Sequence, residues 1–179
     1  SFLATKVWEQ RNALYEKLQH ELIEVCSLYG KKEIRVSLLE GIPEHKKEPF
    51  FDSLKKNRQK DILYGHTTLG PHTDKPTVLY NQKDIRRIGS QGEHKISLVL
   101  IKLAEYQIVR KSTQRTPTIL FDDLFATLDF ERSDAVFSLL EKNTQTIITN
   151  TDLVDIKNHG IEIDGKTNKS IHLLRQCKN

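Results

Sequence analysis

No methionine occurs among the 179 residues, and the chain opens Ser1-Phe2-Leu3-Ala4. A complete translation product begins with Met, so the expectation is a piece cut from a longer protein. Cysteine is scarce: Cys26 and Cys177 stand far apart and form neither a disulfide framework nor a metal-ligand spacing. Long apolar runs are missing, with none near the roughly 18 residues that span a bilayer, and no signal peptide opens the chain. A reducing, cytoplasmic setting is therefore expected. Also missing is any Gly-x-x-x-x-Gly-Lys-Ser/Thr loop. That loop supplies the backbone cradle and the lysine for the β- and γ-phosphates, so these residues alone should not bind a nucleoside triphosphate tightly.

What is present suffices for a modest core. Apolar residues make up 37% of the chain, lean for a globular protein but above the level of a disordered one. The net charge is +4, a mild excess that permits contact with nucleic acid without requiring it. Of 28 basic and 24 acidic side chains, 12 and 9 lie in residues 1 to 60, so the front third carries most of the positive bias.

Val7, Leu14, Leu18, Leu22, Val25 and Leu28 recur at helical spacing, which predicts one amphipathic helix from Leu3 to Tyr29, closed by Gly30. Ile34, Val36 and Leu38 alternate with polar residues, a short strand ending at Gly41 and Pro43. After a polar loop, Glu44 to Glu48, Pro49 starts a second helix that carries Phe50, Phe51, Leu54 and the basic run Lys55, Lys56, Arg58, Lys60. Such a run is either a solvated helix face or a set of phosphate contacts. After Asp61 the helical period gives way to Gly, Thr, Pro and short β-branched runs, and a domain boundary is placed here. Ile62 to Leu69 reads as a strand entering the turn Gly70-Pro71. Thr77 to Tyr80 and Lys83 to Ile85, joined at Asn81-Gln82, read as a hairpin.

Gly89-Ser90-Gln91-Gly92 then precedes a helix from Glu93 to about Lys111, apolar on most sides and expected to be largely buried. Thr118 to Phe121 reads as a strand, Phe130 to Glu141 as a helix and Gln145 to Thr149 as a strand, with edge segments at Ile161 to Ile163 and Ser170 to Leu174. Strand, helix, strand with apolar strands predicts an α/β arrangement, its parallel sheet covered on both faces. An incomplete sheet of this kind should leave an exposed apolar patch and favour self-association.

The chemistry concentrates in Thr118-Ile119-Leu120-Phe121-Asp122-Asp123. A buried strand ending in two consecutive carboxylates presents them at the sheet edge where α/β ligand sites form. In nucleotide hydrolases the first such carboxylate serves Mg²⁺ and the second polarises the attacking water; the alternative is a pair that caps a turn. Asp129, in Leu128-Asp129 before a helix, reads alone as an N-cap. Ser90-Gln91-Gly92-Glu93 opens a helix, where free N–H groups and the helix dipole favour a phosphate. Alone it also fits a capping box, with Ser90 as N-cap and Glu93 as its reciprocal partner.

In order, these elements resemble the second half of an ABC-type ATPase head. Gly70-Pro71-His72-Thr73-Asp74, the hairpin, Gly89-Ser90-Gln91-Gly92, Lys102-Leu103-Ala104-Glu105, Asp122-Asp123 with Leu128-Asp129, and Gln145-Thr146-Ile147-Ile148-Thr149 are similar in order and spacing to the RecF family. These bacterial recombination mediators are related to the heads of SMC and Rad50 proteins. The resemblance covers roughly residues 55 to 152.

It implies an incomplete P-loop NTPase fold: an α-helical arm over residues 1–61, and over 62–179 the C-terminal part of an ABC/SMC-type head with signature, Walker B and D-loop. It further implies DNA repair, replication and recombination, the SOS response included, with ATP-dependent homodimerisation at single/double-strand junctions, help in loading recombinase, and a RecR-type partner. In that scheme Ser90, Gln91, Gly92 and Glu93 would meet the γ-phosphate of ATP held by the other subunit, Asp122 would serve Mg²⁺ and Asp123 would be the catalytic carboxylate. Asp129 would cross the dimer interface, and Thr149 or Asn150 would stand at the switch position; the DNA contacts are expected from the basic run itself, Lys55, Lys56, Arg58 and Lys60. The missing phosphate-binding loop lies in the family's N-terminal part.

Departures stand beside the match. Thr73 takes the place of the usual Arg and Lys75 that of a common second acid, while Glu93 and His94 replace the usual amides after the signature Gly. Two other readings follow. One is a degenerate, non-hydrolysing head kept as a DNA- or partner-binding module. The other is a metal-dependent phosphoesterase built from His66, His72 and Asp74 with Asp122 and Asp123.

Overall fold

The structure, a computed structural model, describes residues 2–30, 36–39, 50–122, 128, 130–140, 143–150 and 165–171. The loop at 44–48, Asp123, Asp129, the segments at 161–163 and 172–174, and Cys177 lie outside the described residues. The chain divides into two compact units, Ser1–Pro117 and Thr118–Asn179.

In the first unit, helix α1 (Phe2–Leu28) packs along helix α4 (Gln91–Thr113). Leu18, Leu22 and Val25 on α1 and Tyr29 just beyond its end, three or four residues apart, form one buried stripe, and Ile96, Val99, Leu100, Leu103 and Ala104 are buried on α4. At one end of this interface Lys111 Nζ lies 2.6 Å from Glu21 Oε1, so the mostly buried Glu21 keeps a cationic partner. The buried stripe is shorter than the sequence pattern. Val7 and Leu14 are exposed because Trp8 and Arg11 turn the first half of α1 toward a polar motif, and Leu28, at the end of the helix, is exposed as well. Likewise α4 is buried along one side only, with Leu98 and Val109 exposed.

A three-stranded antiparallel sheet, β1 (Val36–Leu39), β2 (Thr77–Tyr80) and β3 (Lys83–Asp84), completes this unit in the order β1-β2-β3. Val36 pairs with Tyr80 and Leu39 with Thr77. The hairpin turns at Asn81 and Gln82, both at positive φ (48° and 65°), as a two-residue turn that matches strand twist requires. Ile85 belongs not to the hairpin but to helix α3 (Ile85–Ile88).

Helix α2 (Phe50–Tyr64) runs past Asp61, so the strand expected over Ile62 to Leu69 does not form. Ile62, Leu63 and Tyr64 complete the last turn, and Asp61 Oδ1 accepts hydrogen bonds from the amide (2.8 Å) and hydroxyl (2.7 Å) of Thr68. Those bonds fold the following loop back toward the helix end, and they lower the Asp61 pKa. The compact units also do not coincide with a division at 61/62: β1 pairs with β2, and α1 packs on α4, across that position.

In the second unit, β4 (Ile119–Asp122) and β5 (Thr146–Thr149) form a parallel pair, with Asp122 opposite Thr149. Helix α5 (Phe130–Ser138) covers one face, where Phe137 meets Phe121 edge to face at 6.1 Å and Val136 is fully buried. On the other face the register partners Leu120 and Ile147 are 73% and 46% exposed, so the expected two-sided cover is seen on one side only among the described residues.

Candidate functional site

Three groups of expected site residues can be built from the chain upward. The first is the loop Gly89-Ser90-Gln91-Gly92. A Cβ on Gly89 would lie 2.6 Å from Ile85 Cγ1 and 2.7 Å from the Ile85 carbonyl oxygen, so only glycine fits between α3 and α4. Ser90 is the N-cap of α4 and closes a full capping box. Its Oγ accepts from the Glu93 amide at 3.3 Å, and Glu93 Oε2 accepts from the Ser90 amide at 2.7 Å. Ser90, Gln91, Gly92 and Glu93 thus share the N-terminal turn of a 23-residue helix, the setting that favours an anion. The carboxylate nearest to that end is the protein's own Glu93.

The second group lies at the C-terminal edge of the parallel strands. Asp122 ends β4, Thr149 ends β5, and the Thr149 hydroxyl donates to Asp122 Oδ1. The sequence places each residue separately, and the strand register brings them side by side. Asp123 and Asp129 lie outside the described residues.

The third group is the basic run. Lys55, Lys56, Arg58 and Lys60 are all exposed on α2. At about 100° per residue Lys55 and Arg58 share one face, and Lys56 and Lys60 the adjacent one.

Sequence reasoning singled out Gly70 to Asp74 but missed that Trp8 and Arg11 of α1 hold this motif. Gly70 has φ 146°, a region left to glycine, and Pro71–Thr73 form one 3₁₀ turn. From the first half of α1, Trp8 Nε1 donates to Asp74 Oδ2 at 2.5 Å, while Arg11 Nη1 donates to the same oxygen at 3.2 Å and to the Pro71 carbonyl at 2.8 Å. Trp8 also meets Phe50 edge to face at 4.9 Å. Sixty or more positions separate Trp8 and Arg11 from Pro71 and Asp74 in the chain, so no local pattern announces these contacts.

His66, His72 and Asp74 do not converge. His66 Nδ1 bonds the Tyr64 carbonyl, His72 Nε2 the Thr67 carbonyl, and Asp74 faces α1. Among the described residues, the group whose spacing could hold a metal is His20, Glu21 and Glu24 on α1, where Lys111 already sits against both carboxylates. No helix among the described residues is long and apolar enough to cross a membrane.

No protein-family model matches the chain. Among proteins of known role it is similar to DNA replication and repair protein RecF of Chlorobium phaeovibrioides, 39% identical over 123 residues that make up 68% of this chain and 32% of that one. With the RecF of Lactobacillus gasseri the identity is 37% over 148 residues, 79% of this chain and 39% of the relative. With that of Clostridium perfringens it is 31% over 174 residues, 96% of this chain and 46% of the relative. The chain therefore spans less than half the length of these relatives. Among solved structures it resembles the recombination mediator protein RecF with ATPrS in the RecFOR pathway, at a TM-score of 0.65 and 26% identity, covering 84% of this chain and 42% of the other. The fold is accordingly that of the matched part of the RecF ATPase, of ABC/SMC type. From 31% to 39% identity over most of its residues, the chain belongs to the RecF family of DNA replication and repair proteins.

Proposed function

We propose that the chain is the signature and Walker B part of a RecF-type ATPase that dimerises with ATP on DNA, at junctions between single and double strands, and helps load recombinase. The observation that carries this reading is the pairing of Asp122 with Thr149 at the C-terminal edge of parallel strands, in a chain whose α4 opens with Ser90-Gln91-Gly92. Asp122 presents an exposed carboxylate with an adjacent hydroxyl, hard oxygen donors that suit Mg²⁺. Ser90, Gln91 and Gly92 offer a helix N-terminus that suits the γ-phosphate of a nucleotide bound by the other subunit. Asp123 is the proposed catalytic carboxylate, Asp129 an interface residue, and Thr149 the switch residue.

Bound Mg²⁺ would neutralise phosphate charge; the chain's own residues orient the partners. Arm residues 1–61 and head residues 62–179 are the proposed functional division, with Lys55, Lys56, Arg58 and Lys60 on DNA phosphates and a RecR-type protein as partner, in the cytoplasm. The neighbouring structure is of RecF with ATPrS, which supports use of ATP here.

A second reading is favoured by one contact. The Glu93 carboxylate occupies the helix end where phosphate would bind, as expected of a head kept for binding and not for hydrolysis.

The test joins the chain to the rest of its full-length protein and measures ATP-dependent dimerisation and DNA-stimulated hydrolysis. Asp123→Asn and Ser90→Arg should each abolish turnover, and mixing the two should restore part of it, because each site draws on two subunits. Turnover unchanged in either variant overturns the reading. Dimerisation without ATP, and no hydrolysis, selects the binding module.

A further inference from the structure

Along the Lys55/Arg58 face of α2 runs an open groove of about 600 Å³. Its floor is apolar, built from Phe51 and Leu54 on neighbouring turns of the helix and Ile62 two turns further on. Its rim is basic, with Lys55, Arg58 and the loop residue His66. Phe51 and Ile62 are 55% and 71% exposed, so this floor is not core. Lys55 Nζ stands 4.5 Å over the Phe51 ring, which sets positive charge directly above the aromatic surface. The one acid in the groove, Asp61, is turned to Thr68, which donates two hydrogen bonds to it. Among the described residues Arg58 enters no ion pair.

A solvated basic helix face needs no apolar floor, and a duplex offers only phosphates and groove edges because its base faces are stacked on each other. An aromatic floor under a cationic rim complements a strand that exposes both a base face and a phosphate. Resting on the DNA-binding reading above, we infer that this groove captures an unpaired base of single-stranded nucleic acid. The base takes the place of Lys55 on the Phe51 ring, beside Leu54, and its flanking phosphates meet the displaced Lys55 and Arg58 one turn on. The groove would thus make the α2 contact selective for the unpaired side of a junction, which basic residues alone cannot do.

The test compares two single-stranded oligonucleotides of equal length, one with bases and one abasic throughout, by fluorescence anisotropy at one fixed salt concentration. The full chain should bind the base-containing strand at least about fivefold more tightly, the lower end of one stacked base. Phe51→Ala should erase that preference and Phe51→Trp should keep it, while circular dichroism reports the helix in both. Arg58→Ala should weaken both strands by a similar factor. If the two strands bind equally and Phe51→Ala changes nothing, base capture is overturned while phosphate binding by α2 stands, and an acidic protein partner becomes the occupant to seek. If neither strand binds, the DNA reading falls and this inference with it.

Discussion

Thr149 Oγ1 donates a hydrogen bond to Asp122 Oδ1 across a parallel pair in which the two are register partners, each the last residue of its strand. Parallel register alone decides this contact, since a slip of one residue would turn one of the two side chains to the opposite face. The hydroxyl thereby fixes the direction of a carboxylate that is otherwise exposed to water.

Thr149→Val keeps the β-branched shape that suits a strand and removes only the hydroxyl. Losing one hydrogen bond of about 0.5–1.5 kcal/mol should leave Asp122 free to rotate and lower ATP hydrolysis by the full-length protein by roughly 2- to 13-fold. Thr149→Ser should restore most of the rate. Steady-state hydrolysis equal in all three proteins would mean that the hydroxyl does not orient Asp122 for turnover.

Trp8→Phe should separate the two roles of Trp8, because phenylalanine keeps the ring against Phe50 and loses the N–H donor to Asp74. A hydrogen bond to a carboxylate contributes about 1.5–3 kcal/mol when buried; here Asp74 keeps Arg11, so a loss nearer 1 kcal/mol is expected. In a chain of this size that lowers Tm by about 2–4 °C. A change below one degree by calorimetry would show that Arg11 alone holds the motif.

Much of this fold is legible in the sequence, for reasons that are local. The spacing of Leu18, Leu22 and Val25 marks α1, Ser90 with Glu93 marks the start of α4, and Asn81-Gln82 after the run Thr77 to Tyr80 marks the turn of the hairpin. The errors come where tertiary contacts outweigh propensity. Ile62, Leu63 and Tyr64 look like a strand, yet the Asp61 to Thr68 bonds close the chain just beyond them and the helix continues. Val7 and Leu14 look like core, but the first half of α1 is held by Trp8 and Arg11 on Asp74, at a sequence distance that no periodicity reports. The candidate site residues stand in the sequence as motifs; that Asp122 and Thr149 touch is visible only in the strand register.

Lys111→Met tests the link between α4 and α1. Glu21 keeps only 11% of its side chain exposed, so removing its cation leaves a carboxylate poorly solvated and should cost about 1–3 kcal/mol. The Glu21 hydrogen bond raises the Lys111 pKa above its ordinary 10.5. A raised pKa means that the ion pair stabilises fully below 10.5 and is lost as pH climbs through the raised value. The Tm difference between wild type and variant should therefore stay level from about pH 7 to about pH 9 and close only above 10.5. A difference that closes near neutrality would point to another group.

Glu93→Gln decides between the two readings of the signature loop. Glutamine can still accept from the Ser90 amide, so the capping box survives, and the loss of a negative charge at a helix N-terminus should destabilise by only about 0.3–1 kcal/mol. The same loss removes the charge that repels an incoming phosphate. ATP-dependent dimerisation of the full-length protein should therefore tighten severalfold at low ionic strength, and the gain should shrink as salt screens the end of the helix. Tighter dimerisation with unchanged or faster hydrolysis means that Glu93 restrains an active head. Weaker dimerisation means that the Glu93 carboxylate itself belongs to the interface, and the phosphate then has to be met by Ser90 and the amides of Gln91 and Gly92 beside a charge that stays in place.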